Sequence, residues 1–453
     1  MELLKRLLLL PIDFASWLAK RFLNLSLAAR IGWAVASLQL LVVLLTLAAV
    51  FAAGGGQLFR AWWSVGKLLA LLALLVIVPL LVYQAARLWL QHESVRWPDI
   101  DAAWKEAVIQ LNRQQIDLRN TPVFLVLGCD GAEGERAIMQ EAATPFLVVA
   151  APAGGSPLHV YAGNEAVFIC LSTIGQAAVV AGRLRAAVDH STPTPLGLTD
   201  REQASDRLVA LCQRLVNARQ PVAAINGVIA FVPIAGRADA SSYAAAGAAV
   251  AEDVSVLSTT LGLRAPLLPV FSGAEQLSGF DNLLSQLPAA DRARALGGWL
   301  PLNLTADSAL PAGLATHTAG ALLDLTARSL LDPRLAGQPS FNRSLMGLLY
   351  DVRIVVVGRL EAFFTELLGH SSHGETAPLL AGSLLAATAV DPARRGFLRG
   401  MFERFVPLQG ELEWTPARWR RETRNRRLAT ALKILNLLLV LAIAGIIVWR
   451  VAW

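Results

Sequence analysis

The feature that most constrains this chain is the gathering of its apolar residues at the two ends. Trp33 to Phe51 is almost wholly apolar, with Gln39 its one strongly polar residue. Leu68 to Tyr83, extending to Leu90, is a second such run, and Ala431 to Trp449 is a third. Each approaches the roughly 20 residues that a helix needs to cross a hydrocarbon core. Gly54, Gly55 and Gly56 fall between the first two, which predicts a helical hairpin. Trp33, Trp62, Trp63 and Trp89 lie near the run ends, where indole rings favour a membrane interface.

Basic residues set the expected orientation. Lys5, Arg6, Lys20, Arg21 and Arg30 precede the first run, and Arg418, Arg420, Arg421, Arg424, Arg426 and Arg427 precede the third. Arg60 is the one arginine of the hairpin loop. Lysine and arginine stay on the cytosolic side, so the N-terminus and residues 91–428 are expected there. Leu3 to Leu23 reads either as an interfacial helix pair or as a simple flanking helix.

The net charge of +6 raises the question of nucleic acid. The arginines sit beside apolar runs, where topology already accounts for them, so no nucleic acid is expected. Cys129, Cys170 and Cys212 are isolated and carry no metal-ligand spacing. His370 and His373 lie close together, but in a Ser/Gly-rich stretch with no further ligand. No metal and no cofactor are expected.

The middle of the chain alternates. Val123 to Leu127 is a continuous apolar run that suits a strand buried on both faces of a parallel sheet. Ala166 to Ile169, Gly227 to Val232 and Leu267 to Phe271 repeat it, separated by helical patterns such as Gln176–Val188, Glu202–Ala218 and Ala244–Leu261. Such alternation predicts a parallel α/β sheet. From Gly320 the pattern turns helical through Leu322–Leu331, Leu345–Leu368 and Pro392–Phe405. The expected organisation is 1–30 flanking helices, 31–90 hairpin, 91–315 α/β domain, 316–428 helical domain and 429–453 last span.

The glycine-rich turn after the first strand invites a phosphate-loop reading. That chemistry needs backbone amides around the phosphates, a lysine for the terminal phosphates and a hydroxyl for magnesium. Here Gly128 fits the first position, but Glu133 stands at the second glycine, and Gly134 and Glu135 replace the lysine and hydroxyl. Glu133 and Glu135 would repel a polyphosphate. No lysine occurs between Lys105 and Lys433.

Several segments resemble the cytosolic half of the TssM/IcmF family, inner-membrane components of type VI secretion complexes. Pro122–Gly128 resembles the strand entering its nucleotide loop, and Asn164–Cys170 the strand that ends in a magnesium-directed aspartate. Ala224–Ile229 resembles its Pro-Ile-Asn-Gly-Val strand, and Pro266–Phe280 the segment carrying its Thr-Lys-Cys-Asp motif. Leu360–Phe364, Pro378–Gly382 and Phe397–Arg404 resemble its helical segments. The resemblance implies a membrane protein with three transmembrane helices and a cytosolic GTPase-like α/β domain followed by a helical domain.

The departures fall on the nucleotide positions. Cys170 replaces the aspartate, and Ser272–Glu275 replaces the guanine-reading residues. Gly128, Gly131, Gly134, Cys170 and Glu275 therefore mark a vestigial site with no bound cofactor, no metal and no catalysis. The family implies a DotU/TssL-like membrane protein and baseplate proteins as partners in a multi-subunit complex at the bacterial inner membrane. It also continues into a periplasmic region beyond its third span, where this sequence stops at Trp453. The expected role is a scaffold and pseudo-GTPase. An active membrane-anchored nucleotide hydrolase is the alternative, disfavoured by the missing lysine. A transporter is disfavoured because the apolar runs carry no charge at mid-depth.

Overall fold

The computed structural model describes residues 29, 31–43, 46, 65–92, 96–142, 144–186, 196–234, 238–302, 308–333, 338–369, 378–420, 422–424, 427 and 430. The expected flanking helices of residues 1–28, the Gly54–Gly56 turn and the run 431–449 lie outside them, as do His370 and His373. The chain divides into two compact units, one of residues 1–96 with 423–453, the other Trp97–Glu422.

In the first unit, α1 spans Val65–His92. Pro79 lies inside it, and its C-terminal third carries Gln84, Arg87, Gln91 and His92. Among the described residues, no helix is long and apolar enough to cross a membrane, which corrects the expectation of three transmembrane helices. Of the run Trp33–Phe51, only 33–43 and 46 are described.

The second unit is built on a sheet. Its strands are β1 (Val123–Leu127), β2 (Val148–Ala151), β3 (Leu158–Ala162), β4 (Val167–Leu171), β5 (Gly227–Pro233), β6 (Leu263–Arg264), β7 (Pro266–Ser272), β8 (Leu296–Trp299), β9 (Leu379–Leu380), β10 (Gly382–Thr388), β11 (Arg395–Gly396) and β12 (Glu413–Trp414). The order β11-β10-β7-β5-β1-β4-β3-β2 forms the main path, with β8 on β10, β9 on β7, and β6 with β12 as a separate ribbon. The central run β10-β7-β5-β1-β4 is parallel. β3 and β2 add antiparallel to one side, and β8 and β11 pair antiparallel with β10.

The sheet is therefore mixed, which is a second correction to the expected fold. The hairpin of β2 and β3 escapes the reading because its strands are short and carry the polar His159. The largest difference is in the expected helical domain. Its Pro378–Gly382 segment is extended, and Gly382–Thr388 runs parallel to β7 inside the sheet. A continuous run of small and apolar residues cannot be told from a buried helix by periodicity. Glycine fits here because a Cβ at Gly382 would lie 2.5 Å from Gly298 O.

The helices that cover the sheet are α2 (Pro98–Arg113), α3 (Gly131–Gln140), α4 (Gln176–Ala186), α5 (Leu198–Arg219), α6 (Ala240–Leu261), α7 (Leu310–Leu330), α8 (Pro339–Asp351), α9 (Val357–Gly369) and α10 (Arg399–Phe405), with two short helical turns over Phe280–Gln286 and Ala289–Arg292 between β7 and β8. Alternate residues of β1 serve opposite faces. Val123, Leu125 and Leu127 join the core that α2 and α4–α9 cover. Phe124 and Val126 join a second core with Met139, Phe402 and Phe405, under α3 and α10. Phe124 stacks on Phe168 at 5.4 Å, and Phe168 meets Phe402 edge-on at 5.4 Å. On the other face Phe271 meets Phe363 edge-on at 5.1 Å. The helical segments α7–α9 thus complete the same sheet rather than a core of their own.

Candidate functional site

A cavity of about 100 Å³ opens at the C-terminal ends of β1, β5, β7 and β10. In parallel α/β sheets this edge is where ligands bind. Gly128, Gly134 and Glu275 line it, together with Arg185, Ser272 and Thr388. Gly131, the first residue of α3, is exposed and does not line it. Cys170 is fully buried in β4, beside Val126 of β1, and does not line it either.

Gly128, Glu275 and Cys170 are each engaged by groups of the fold itself. Gly128 follows β1 with φ +75, and a Cβ there would lie 2.2 Å from Phe231 O. Both the backbone hand and the closeness of β5 require glycine. Gly128→Ala should cost about 2–3 kcal/mol of stability, read as a lowered urea midpoint. Arg185 of α4 donates to Gly128 O at 2.8 Å and Cys129 O at 2.7 Å, and pairs with Asp130 at 3.1 Å. Its guanidinium is largely buried, and that burial lowers its pKa. A phosphate loop turns amide N–H groups toward its ligand, whereas this loop turns two carbonyl oxygens toward an internal cation.

Glu275 lies in a short 3₁₀ turn after β7, and its Oε2 accepts from Thr388 N at 3.0 Å. Burial pushes its carboxyl above the ordinary range. It serves to fasten the end of β10. Burial, and then the neighbouring Cys129 thiol, push the Cys170 thiol well up. A neutral thiol offers a magnesium ion nothing comparable to a carboxylate.

Glu135, which replaces the hydroxyl residue, is buried on the side of α3 facing β3. Its Oε2 is 2.7 Å from His159 Nδ1, and His159 Nε2 is 2.8 Å from Gly154 O. The hydrogen bond to Glu135 raises the His159 pKa. The carboxylate faces the imidazole and not the cavity.

Two buried polar groups have no counterpart in the motif reading, Asp253 near the start of α4 and Arg219 at the opposite, N-terminal ends of β1 and β5. Asp253 of α6 is buried and accepts from Gln176 N and Ala177 N, both at 2.8 Å, at the start of α4. Gly175, with φ +92, brings the chain against it, where a Cβ would lie 2.6 Å from Asp253 Oδ2. The N-terminal end of α4 is thus occupied from within by the carboxyl group of Asp253. Arg219 is buried and donates to Leu118 O, Thr121 O, Ala223 O and Asn226 Oδ1. Asn226 Oδ1 also accepts from Val123 N at 2.9 Å. The Asn226-Gly227 pair therefore joins β1 to β5 without any ligand.

Residues 201–390 match the IcmF-related N-terminal domain family. No curated protein matches the chain, and no solved structure does. The matched segment runs from α5 to the residues just after β10, so it covers the strands and helices on one side of β1 and leaves out the glycine turn itself.

Proposed function

We propose, for a chain whose residues 201–390 belong to the IcmF/TssM family, that it is a scaffold and pseudo-GTPase of a type VI-like secretion complex. The family associates the chain with a membrane secretion assembly of several subunits. The observation that carries the finer reading is Arg185. A guanidinium bonded to the carbonyls of Gly128 and Cys129 occupies the loop from inside. The remaining cavity, about 100 Å³, is well below the roughly 300–1,000 Å³ of small-molecule sites. With Glu275 committed to Thr388 and Cys170 buried, the positions for phosphate, metal and base all serve the fold. The body then offers a fixed surface to partners, for which a DotU/TssL-like membrane protein and baseplate proteins are the candidates.

Calorimetry of the full chain with magnesium GTP and magnesium ATP tests this. The expected result is no binding and no rise in melting temperature, because ligand stabilisation follows occupancy. A dissociation constant near 1 μM, about −8 kcal/mol, would overturn the pseudo-GTPase reading. Failure of a co-expressed DotU/TssL-like protein to co-purify under mild detergent would overturn the scaffold reading.

A further inference from the structure

His159 lies near the start of β3, in the hairpin that closes one edge of the sheet, and both of its ring nitrogens are engaged. Nδ1 is 2.7 Å from Glu135 Oε2 of α3, and Nε2 is 2.8 Å from Gly154 O in the turn between β2 and β3. His159 is 2% exposed and Glu135 is fully buried. A backbone carbonyl can only accept, so Nε2 carries a hydrogen. Nδ1 faces a carboxyl oxygen, and that contact needs a hydrogen of its own. A neutral imidazole beside an ionised Glu135 would set two acceptors 2.7 Å apart. The geometry therefore holds one proton more than that neutral ring and carboxylate have between them.

The surroundings leave that proton to the pair. Cys170 of β4 stands across from His159 in the strand register, and Tyr161 lies two residues along the same face of β3. Burial pushes both the Cys170 thiol and the Tyr161 phenol up, so both stay neutral. The Cys129 thiol is buried as well. On the other side β2 brings Val148, Val149, Ala150 and Ala151, none of which titrates. Glu133 and Arg136 of α3 are exposed. Glu135 Oε1 has no hydrogen-bond partner, so among the described residues His159 is the one donor to this carboxyl. Loss of the proton would leave a buried carboxylate with no donor, which is a costly state.

The pair also joins two parts of the fold. Gly154, with φ +94, and Gly155 are exposed, and a Cβ at either would meet nothing within 4 Å, so packing does not hold the turn at these two residues. On the helix side, Gly134 and Ile138 of α3 line the cavity at the end of β1. We infer that His159 and Glu135 form a proton-held latch, which fastens the turn 152–157 to α3 while the pair keeps its proton and releases the turn when the proton leaves. The hydrogen bond to Glu135 raises the His159 pKa above its ordinary 6.5, the value it regains when the latch opens. Below pH 6.5 the closed and open forms both hold the proton, and the latch keeps its full strength. Above it the closed form alone holds the proton, so opening gains about tenfold per pH unit until the closed pair itself titrates. The inference goes beyond the scaffold reading and does not depend on it.

Amide exchange of the full chain from about pH 6 to pH 9 tests this, read over the turn 152–157 and over α3 and corrected for base catalysis. Opening in the wild type should be flat up to pH 6.5 and then rise by about tenfold per pH unit. Glu135→Gln is the diagnostic variant. Its amide can donate to Nδ1 of a neutral imidazole, so both contacts survive without the extra proton. In that variant the turn should stay fastened and the slope should vanish. Nitrogen NMR of the histidine-labelled wild type needs no variant to be interpreted, and His159 should show both ring nitrogens protonated at pH 7. A flat exchange profile in the wild type, an unchanged slope in Glu135→Gln, or a bare Nδ1 at pH 7 would overturn the inference.

Discussion

Replacing Arg219 with methionine should cost the Trp97–Glu422 unit about 3–5 kcal/mol, among the largest single losses available to it. The guanidinium is 3% exposed and donates to four oxygens from three segments, with Nη1 reaching Leu118 O at 2.6 Å and Thr121 O at 2.5 Å. Nε reaches Ala223 O at 2.7 Å, and Nη2 reaches Asn226 Oδ1 at 3.1 Å. Burial lowers its pKa to about 10, so it stays charged at neutral pH. Methionine keeps the length and apolar volume of the stem but takes the guanidinium donor from Leu118 O, Thr121 O and Ala223 O, while Asn226 Oδ1 keeps Val123 N. Lysine fares little better, since one ammonium cannot span the fork that the guanidinium fills. The loss should appear in a urea titration of the full chain and as faster amide exchange in β1 and β5. A change below about 1 kcal/mol would mean that water reaches these carbonyls and that Arg219 is not the clasp between the strands.

This clasp shows why some of the architecture was legible in the sequence and some was not. The buried parallel strands were legible because each is a short unbroken apolar run, as in Val123–Leu127 and Gly227–Pro233. The helices between them were legible by their spacing, with ends shifted by a few residues. Gly382–Thr388 was not, because a run of Gly, Ser, Leu and Ala carries no period, and its parallel partner β7 lies more than a hundred residues earlier. The site divided in the same way. Gly128, Gly134 and Glu275 could be found by comparing their positions with a motif, and they do line one cavity. Arg185 and Asp253 could not, nor could Arg219 at the far end of the strands, because nothing local distinguishes a buried charged residue in a helix from an exposed one. Most of their partners are backbone atoms brought close by the fold. A motif that has lost its ligand residues says what a site no longer does. The replacements, found only in space, say what the same positions do instead.

Asp253 gives the second large effect, and it is expected to depend on pH. Its carboxyl is fully buried, and burial raises its pKa to about 7 against the pull of the amides of Gln176 and Ala177. In the unfolded chain the same group titrates near its ordinary value of 3.8. Between these values the folded state binds a proton that the unfolded state has released. Stability from this group is therefore full at pH 4, falls as pH rises toward 7, and is constant above. A difference of this size amounts to about 4 kcal/mol. His159, whose pKa is also raised, loses its contribution in the same direction, so the wild-type slope alone does not isolate Asp253. Asp253→Asn does, because the difference between variant and wild type cancels every other titration. Urea midpoints of both proteins between pH 4 and pH 8 should show the wild type losing stability relative to the variant as pH rises. The opposite slope would mean that two amide donors and the N-terminal end of α4 outweigh burial, and that this buried carboxylate is held ionised as the helix's own anion.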